Sequence, residues 1–498
     1  METNIWIKSF AVVTFDEDIG QKVEYQTPVI LNDCYQQILA FLAFPDSNSF
    51  NKVGTLVYTF KMNYDPPLYG YVYFRQYKDL EKPRKFSQRS LVLLSELPYI
   101  SLFKQTIEIL GPLYFDHGES IFEAVNSCIK SWGNNIPGTT LELPMMGTVI
   151  YFSVPSTEGS YSPQLLGDGL SDILDTLTLG HPGLFQDINL CETLGMSFVQ
   201  RFLVIFWELL ISGDSFLFVT DSPETCSVGV FGLVSLISPL IYTGEVFPYF
   251  TIFDSDFKSV QNNYERKKLT ETVIGATNPY IMKVFGDLPH VFSFEDRNGL
   301  HPINIKTQWE GQYKGLMLLE GISKEVYAIN NTAIRKYFRE LTLSFLHPFQ
   351  QYLFLDQIQL KNSPFSHSIS LKTFVESEFL ASISGSRNHL PITKFMNRQK
   401  VVSLYSKFIK SSTFVNWFAK QRQKASQDSD RVIRKAMFDF DVSKIFNLDK
   451  KERRDLYEKI KGRLAYEEIA GENFEGILVL KHKLQVLGQN IAKVNETI

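Results

Sequence analysis

Cysteine is scarce: four residues in 498, Cys34, Cys128, Cys191 and Cys226, lie far apart with no CxxC pair among them. That spacing speaks against a zinc site and a disulfide framework, and points to reduced, buried thiols in a cytosolic protein. Histidine is almost as rare, with eight scattered residues. Lone ones such as His290 and His347 lack the partner that a base or a metal ligand needs. Long apolar runs are missing too. FLVIFWELLI (202–211) is too short to span a bilayer, and VGVFGLVSLISPLI (228–241) is broken by serines and Pro239,. The opening METNIWIKSF has no basic stretch followed by an apolar core, so no signal peptide is read,. A soluble chain is expected, with any membrane contact peripheral.

The motifs of common catalysis are also absent: no GxxxxGK[ST] loop, no GxGxxG after a strand, no GxSxG elbow and no HExxH,. Acidic pairs occur at Asp16/Asp18 and Asp254/Asp256. Both lie beside turns, where carboxylates cap turns and helices more often than they form an acid/base dyad. The residues alone therefore predict a protein without covalent chemistry, cofactor or metal.

What is present is apolar mass. Hydrophobic residues make up 44% of the chain and aromatics 14%, enough for two or three well-filled cores at this length,. The net charge of -4 hides an asymmetry: residues 381–498 carry 23 Lys+Arg against 13 Asp+Glu, whereas residues 1–380 carry 27 against 41. A basic tail thus follows an acidic body, and it can meet an anionic surface, the body itself, or simply water.

The segment 64–100 organises the first part. In GYVYFRQY, Tyr71, Tyr73, Arg75 and Tyr77 alternate with Val72, Phe74 and Gln76, the period of a half-buried strand,. SLVLLS is continuously apolar and reads as a central strand. Between them DLEKPRKFSQR reads as an exposed basic loop. An N-terminal hairpin (IKSFAVVTFD, turn DEDIG, QKVEYQTP) precedes them. So does a helix capped by Asn32 or Asp33, with a buried stripe of Ile38, Leu39, Phe41 and Leu42, and so does the strand GTLVYTFKMN,. A helix with Ile100, Phe103, Ile107 and Leu110 follows, expected to close at Gly111-Pro112, then the helix ESIFEAVNSCIKSW and a strand pair ending near 155,. This is an α+β module.

Residues 156–189, rich in Ser, Gly, Asp and Pro at their start, read as a linker,. Beyond it, GMSFVQRFLVIFWELLISGDS is apolar nearly all round, a central buried helix. Strands DSFLFVT, FPYFTIFDSDF and LPHVFSF alternate with helices CSVGVFGLVSLISP and the one after Asn278-Pro279, which predicts a mainly parallel α/β sheet,. Helices follow, with Ile334, Phe338, Leu341 and Phe345 on one face, and continue into the charged tail.

Several segments, in order, resemble the DENN-domain proteins: AVVTFDEDIGQKVE, FPDSNS, YGYVYFRQ, QRSLVLLSELPYI, PGTTLELPMMG, SPLIYTGEVFPYFTIFDSDFK, IGATNPYIMK and AIRKYFRELTLSFLHPFQQYL. Subfamily six is the nearest group in character, the Avl-nine group a more distant one, and the likeness runs to about residue 420, including Phe414, Trp417 and Phe418. It implies an α+β longin-like N-terminal lobe (1–155) and an α/β DENN C-terminal lobe (190–380), followed by a basic helical tail (381–498). It also implies a guanine-nucleotide exchange factor that grips a Rab-family small GTPase between its lobes. Such a protein would be cytoplasmic and peripherally recruited to endosomes.

Exchange needs no acid, base or metal. It needs preferential binding of the nucleotide-free GTPase, ~5.5 kcal/mol for a ~10⁴-fold effect. On the resemblance, the residues expected to contact the GTPase are Asp16, Glu17 and Asp18 in the first turn, Asp254, Asp256 and Phe257 after a strand, and Asn278 and Pro279 at a loop-helix junction. Plain readings stand beside them: Asn278-Pro279 as a helix cap, Phe257 as core, Gly70 and Gly275 as backbone geometry. Some longin-DENN relatives activate GTP hydrolysis through a loop arginine, and Arg84 in RKFSQR occupies a comparable place. A non-catalytic trafficking scaffold is the third alternative.

Overall fold

The computed structural model describes residues 6–46, 54–83, 85–155, 184–185, 187–296, 299–307, 316–355, 364–365, 370–385, 391–440 and 449–469, with two single positions, 485 and 489. It is a mixed α/β structure that divides into two compact units, Met1–Phe345 with Pro391–Phe414, and Leu346–Leu390 with Val415–Ile498.

The first unit opens with a five-stranded antiparallel sheet in the order β2-β1-β5-β4-β3. Its strands are β1 (Ser9–Asp16), β2 (Gly20–Pro28), β3 (Gly54–Met62), β4 (Leu68–Lys78) and β5 (Phe86–Ser95). SLVLLS is central, as its continuous apolarity predicts: β5 lies between β1 and β4, and Leu91, Val92, Leu93 and Leu94 are all buried. The alternation in β4 assigns its two faces. Tyr71 and Tyr73 pack on Phe103 and Phe115 of α2 (Ile100–His117). Phe74 points the other way, to Phe44, which follows α1 (Asp33–Leu42). Helix α3 (Ile121–Lys130) sets Phe122 against Phe10 and Tyr25 on the α2 side. A two-stranded ribbon, β6 (Thr140–Met145) and β7 (Thr148–Ser153), ends this half.

Two expectations need correction here. Gly111-Pro112 does not close α2, which continues to His117 and stops at Gly118 with φ 65°. Gly111 serves close packing instead: a Cβ there would sit 2.3 Å from the Tyr73 ring. Phe41 is not part of the buried stripe of α1; it is exposed while Leu39 and Leu42 are buried. At about 100° per residue, Phe41 lies about 160° around the helix from Leu39.

The second sheet runs β12-β11-β8-β10-β9. Its strands are β8 (Phe216–Val219), β9 (Glu245–Phe247), β10 (Thr272–Ala276), β11 (Val291–Asp296) and β12 (Leu300–Lys306). The β11-β8-β10-β9 pairings are parallel, as predicted, and β12 adds an antiparallel edge. Short helix α4 (Leu190–Leu194) precedes the nearly all-buried α5 (Met196–Ser212), whose Phe198 and Phe206 pack on Phe216, Phe218, Phe292 and Phe294. Then come α6 (Pro223–Val234), α7 (Phe257–Glu265) and α8 (Pro279–Phe285). Residues of α7 and α8, Val260, Ile281 and Phe285, pack with Leu217, Ile274 and Ala276 in one core.

FPYFTIFDSDF is not a strand. The observed β9 is three residues long and ends before Pro248, which has no N–H for a ladder,. The aromatic residues after it are buried by side-chain packing, and the backbone turns into α7. Strand β10 and helix α7 were not foreseen. Helix α9 (Lys324–Leu346) buries Ile334, Phe338, Leu341 and Phe345 as expected. Helix α11 (Arg398–Phe408) stacks Tyr405 on Phe345 at 4.2 Å.

The second unit is helical in its described residues. Helix α10 (Glu376–Ser384) places Phe379 against Phe349. Along α12 (Ser412–Phe438), Trp417 and Phe418 reach Phe349, while Ile433 and Met437 join Leu456 and Ile460 of α13 (Lys450–Ile469) in a small core with Leu355 and Phe365. Among the described residues no helix is long and apolar enough to cross a membrane.

Candidate functional site: the seam of the first unit

Within the first unit, the two sheets meet along β3. An edge strand leaves backbone N–H groups that must find partners. Here α6 lies against β3, and the Thr59 N–H donates to Ser227 Oγ of α6 at 3.1 Å. Beside it the rings of Tyr58 and Tyr249 meet edge to face at 5.1 Å. Both phenols are fully buried, and burial pushes their pKa values up, so they stay neutral.

Polar pairs fasten the seam on either side. The Asp46 N–H donates to Tyr249 Oη at 2.6 Å, and Asn278 Nδ2 donates to Asp46 Oδ2 at 3.0 Å. The same Asn278 accepts from the Tyr280 N–H through Oδ1 at 2.9 Å, capping α8. Burial raises the Asp46 pKa, with the Asn278 hydrogen bond working against the rise. Farther along, Asn63 Nδ2 donates to Asp256 Oδ1 at 2.8 Å, and Lys61 pairs with Glu245 at 3.1 Å. A cleft of about 380 Å³ opens there, lined by Lys61, Asn63, Glu245 and Asp256 among others. Lys104 of α2 pairs with Glu224 of α6 at 2.8 Å.

One apolar feature on this seam stays in water. Phe41 of α1 and Phe253 from the loop before α7 stack at 4.5 Å with 11° between planes. They are 37% and 43% exposed, next in sequence to Ile252 at 38%. In the second-sheet half, Tyr280, which follows the Asn278-Pro279 cap, is 50% exposed. A stacked aromatic pair left in water makes this part of the seam the candidate contact surface.

The residues singled out from the sequence fall into three groups. Asn278 and Asp256 reach the seam, each bonded to the first half. Pro279 is the first residue of α8, so the cap reading of Asn278-Pro279 describes the local geometry,. Asp254 is buried, and Phe257 is half-buried against the core. Asp254 is 7% exposed, its Oδ1 accepts from the Asp256 N–H at 2.9 Å, and burial raises its pKa to about 7. Phe257 packs on Phe250 and Phe285.

Asp16, Glu17 and Asp18 form the turn between β1 and β2. Asp16 is committed to that turn: it accepts from the Asp18 and Ile19 N–H groups and from Lys22 Nζ at 2.6 Å. The Lys22 hydrogen bond, helped by the two amides, lowers its pKa to about 2. Glu17 and Asp18 are exposed. Arg84 lies outside the described residues. Gly70 and Gly275 serve packing, since a Cβ would strike the Phe60 ring at 2.1 Å in one case and Pro248 O at 2.5 Å in the other.

Sequence reasoning missed Phe41, Asp46, Tyr249 and Phe253. The out-of-phase position of Phe41 on α1 was a readable signal. The partners of Asp46 and Tyr249 are some 200 residues away and were not readable. Among the described residues no cluster of three His, Cys, Asp or Glu is placed to hold a metal.

Comparison with known proteins finds relatives over most of the chain. The family described as Transport protein Avl9 matches residues 7–247. Protein DENND6 homolog of Dictyostelium discoideum is 30% identical over 532 aligned residues, covering 88% of this chain and 73% of that protein. Protein DENND6B of Mus musculus and Protein DENND6A of Gallus gallus are each 29% identical over 480 residues, 85% of this chain and 80% of theirs.

Proposed function

Because the chain belongs to the DENN-domain proteins of the DENND6 group, we propose that it is a guanine-nucleotide exchange factor for a Rab-family small GTPase, acting in endosomal membrane traffic. In this reading residues 1–155 are the longin-like lobe and residues 190–380 the DENN lobe. The observation that carries it is the seam: two halves held together by buried tyrosines and cross-bonded Asp46, Asn278, Asn63 and Asp256, with a stacked Phe41–Phe253 pair left in solvent. Avl9 is itself described as a transport protein, which supports the trafficking context.

The mechanism asks only for binding. A GTPase holds its nucleotide through phosphate-loop amides, Mg²⁺ and ordered switch loops. A partner that binds the open, empty form ~10⁴-fold better than the loaded form supplies ~5.5 kcal/mol toward release. A pre-organised surface delivers that energy without first spending it on ordering itself. The polar frame fixes the surface, and Phe41, Ile252, Phe253 and Tyr280 are the groups that gain most from being covered. Asp256 and Asn278 are spent in holding the frame, and Asp254 is buried beneath it. Their part is to position the aromatic surface rather than to touch Mg²⁺.

The test compares capture of a purified Rab in its nucleotide-free and GTP-loaded forms by the immobilised full chain. Preference for the empty form is expected. Equal capture of both rules out exchange by this route.

A further inference from the structure

Helix α12 carries a second surface, unrelated to the seam. Lys420, Lys424, Arg431 and Lys435 stand at i, i+4, i+11 and i+15 along it. At 100° per residue these four positions fall within about 60° of arc and extend about 22 Å along the axis. All four are exposed, as are Gln423 and Gln427 between them. The opposite side of the helix is occupied: Ile433 and Met437 are in the core with Leu456 and Ile460, and Arg422 donates to the carbonyls of Tyr352 and Lys372. The helix is therefore held by one face and offers a straight row of cations on the other.

Lys8, Lys22, Lys61, Lys104, Lys400 and Lys407 each face a carboxylate within 4.0 Å. Among the described residues none of the four on α12 has an ion-pair or hydrogen-bond partner for its side chain. Four like charges in one row repel one another unless an anionic surface lies opposite.

We propose that this face of α12 docks on a bilayer rich in acidic phospholipid. The composition selects among anionic partners. Protein interfaces disfavour lysine and favour aromatic anchors at their centre; here three of four cations are lysines, and the residues between Lys424 and Arg431 are small or polar and include Asp428 and Asp430. Binding of nucleic acid strands draws on aromatic stacking platforms as well as charge, and the arc offers none. A flat array of headgroup phosphates and carboxylates asks only for a row of solvated ammonium and guanidinium groups at the same level. Each such residue near the surface strengthens binding about fivefold, so four give about 10² to 10³. That range is enough for reversible recruitment but not for permanent anchoring. The proposal does not depend on the exchange reading.

The test is sedimentation of the full chain with phosphatidylcholine vesicles, with and without about one-third phosphatidylserine, read beside thermal unfolding of each variant. Wild type should bind only the acidic vesicles and release in 0.5 M salt, as expected when the Debye length falls to a few ångströms. The Lys420→Gln, Lys424→Gln, Arg431→Gln, Lys435→Gln variant should bind about 100-fold more weakly. A matched variant, Lys258→Gln, Arg266→Gln, Lys267→Gln, Lys268→Gln, should bind as wild type does. Equal loss in both variants means that net charge and not this face binds, and overturns the proposal. So does wild-type binding that ignores phosphatidylserine or salt, or retention of an acidic protein or RNA in place of vesicles. Should the four-site variant fail to fold, the pair Lys420→Gln, Lys424→Gln is compared with Lys267→Gln, Lys268→Gln in the same way; an equal effect of the two pairs overturns the proposal.

Discussion

Removing the Phe253 ring separates the two jobs that the seam performs. Phe253 is 43% exposed and stacks on Phe41 at 4.5 Å, so Phe253→Ala loses one aromatic pair and the covered part of one ring. The pair is worth ~0.5–1.5 kcal/mol. The covered ring area adds about 1 kcal/mol at roughly 25 cal/mol per Å². The fold should lose ~1–2 kcal/mol of a reserve of ~5–15 kcal/mol and remain native. In the complex the same ring becomes fully covered. An anchor of this kind costs ≥ ~2 kcal/mol on truncation, roughly 30-fold in affinity.

Release of a fluorescent GDP analogue from the cognate Rab, measured as kcat/KM, should therefore fall at least ~30-fold while the unfolding midpoint moves little. Phe41→Ala should do the same, and the double variant should fall short of additivity because each ring is the support of the other. Wild-type exchange, within about twofold, by both folded single variants would refute the assignment of this pair as the anchor.

Three further outcomes follow from buried groups. Glu208 is 1% exposed, its pKa is raised to about 7 by burial, and Lys400 Nζ lies 2.5 Å from Oε1. Lys400→Met should cost about 1.4 kcal/mol more in urea unfolding at pH 8, where wild-type Glu208 is ionised against Lys400 and the variant's buried carboxyl must hold a proton, than at pH 5.5, where Glu208 keeps its proton in both. Equal costs at the two pH values would contradict this. Asp254 has a folded pKa of about 7 against 3.8 unfolded, so the folded form holds the extra proton and stability falls as pH rises through that window,. Asp254→Asn keeps the bond to the Asp256 N–H, so its stability gain over wild type should be roughly 2 kcal/mol larger at pH 8 than at pH 5.5. A gain that does not change with pH would sink the reading. Gly275→Ala places a Cβ 2.5 Å from Pro248 O and 3.0 Å from Cys226 Sγ, and should lower the unfolding free energy by ~1–3 kcal/mol; an unchanged free energy would show that the backbone yields freely,.

The first sheet was legible because its strands alternate cleanly or, in SLVLLS, are apolar throughout, and the all-apolar α5 announced a buried centre in the same way. The misreadings have local causes. FPYFTIF looks like a strand because aromatics are common in strands, yet Pro248 removes a ladder donor and the rings are buried by packing rather than by pleat. Gly111-Pro112 looks like a helix stop until the Tyr73 ring, 38 residues away in the chain, supplies a reason for the glycine. At the seam, Asn278 was legible as a cap, but its bond to Asp46 spans 232 residues and has no local signal. Phe41 was misassigned to the core because it is apolar, although its helical phase points outward.

Nucleotide release from a panel of purified Rab GTPases, each loaded with a fluorescent GDP analogue and mixed with the full chain, tests exchange most directly. Accelerated, substoichiometric release from one or a few Rabs is the expected result. No acceleration from any Rab by the folded chain would contradict it.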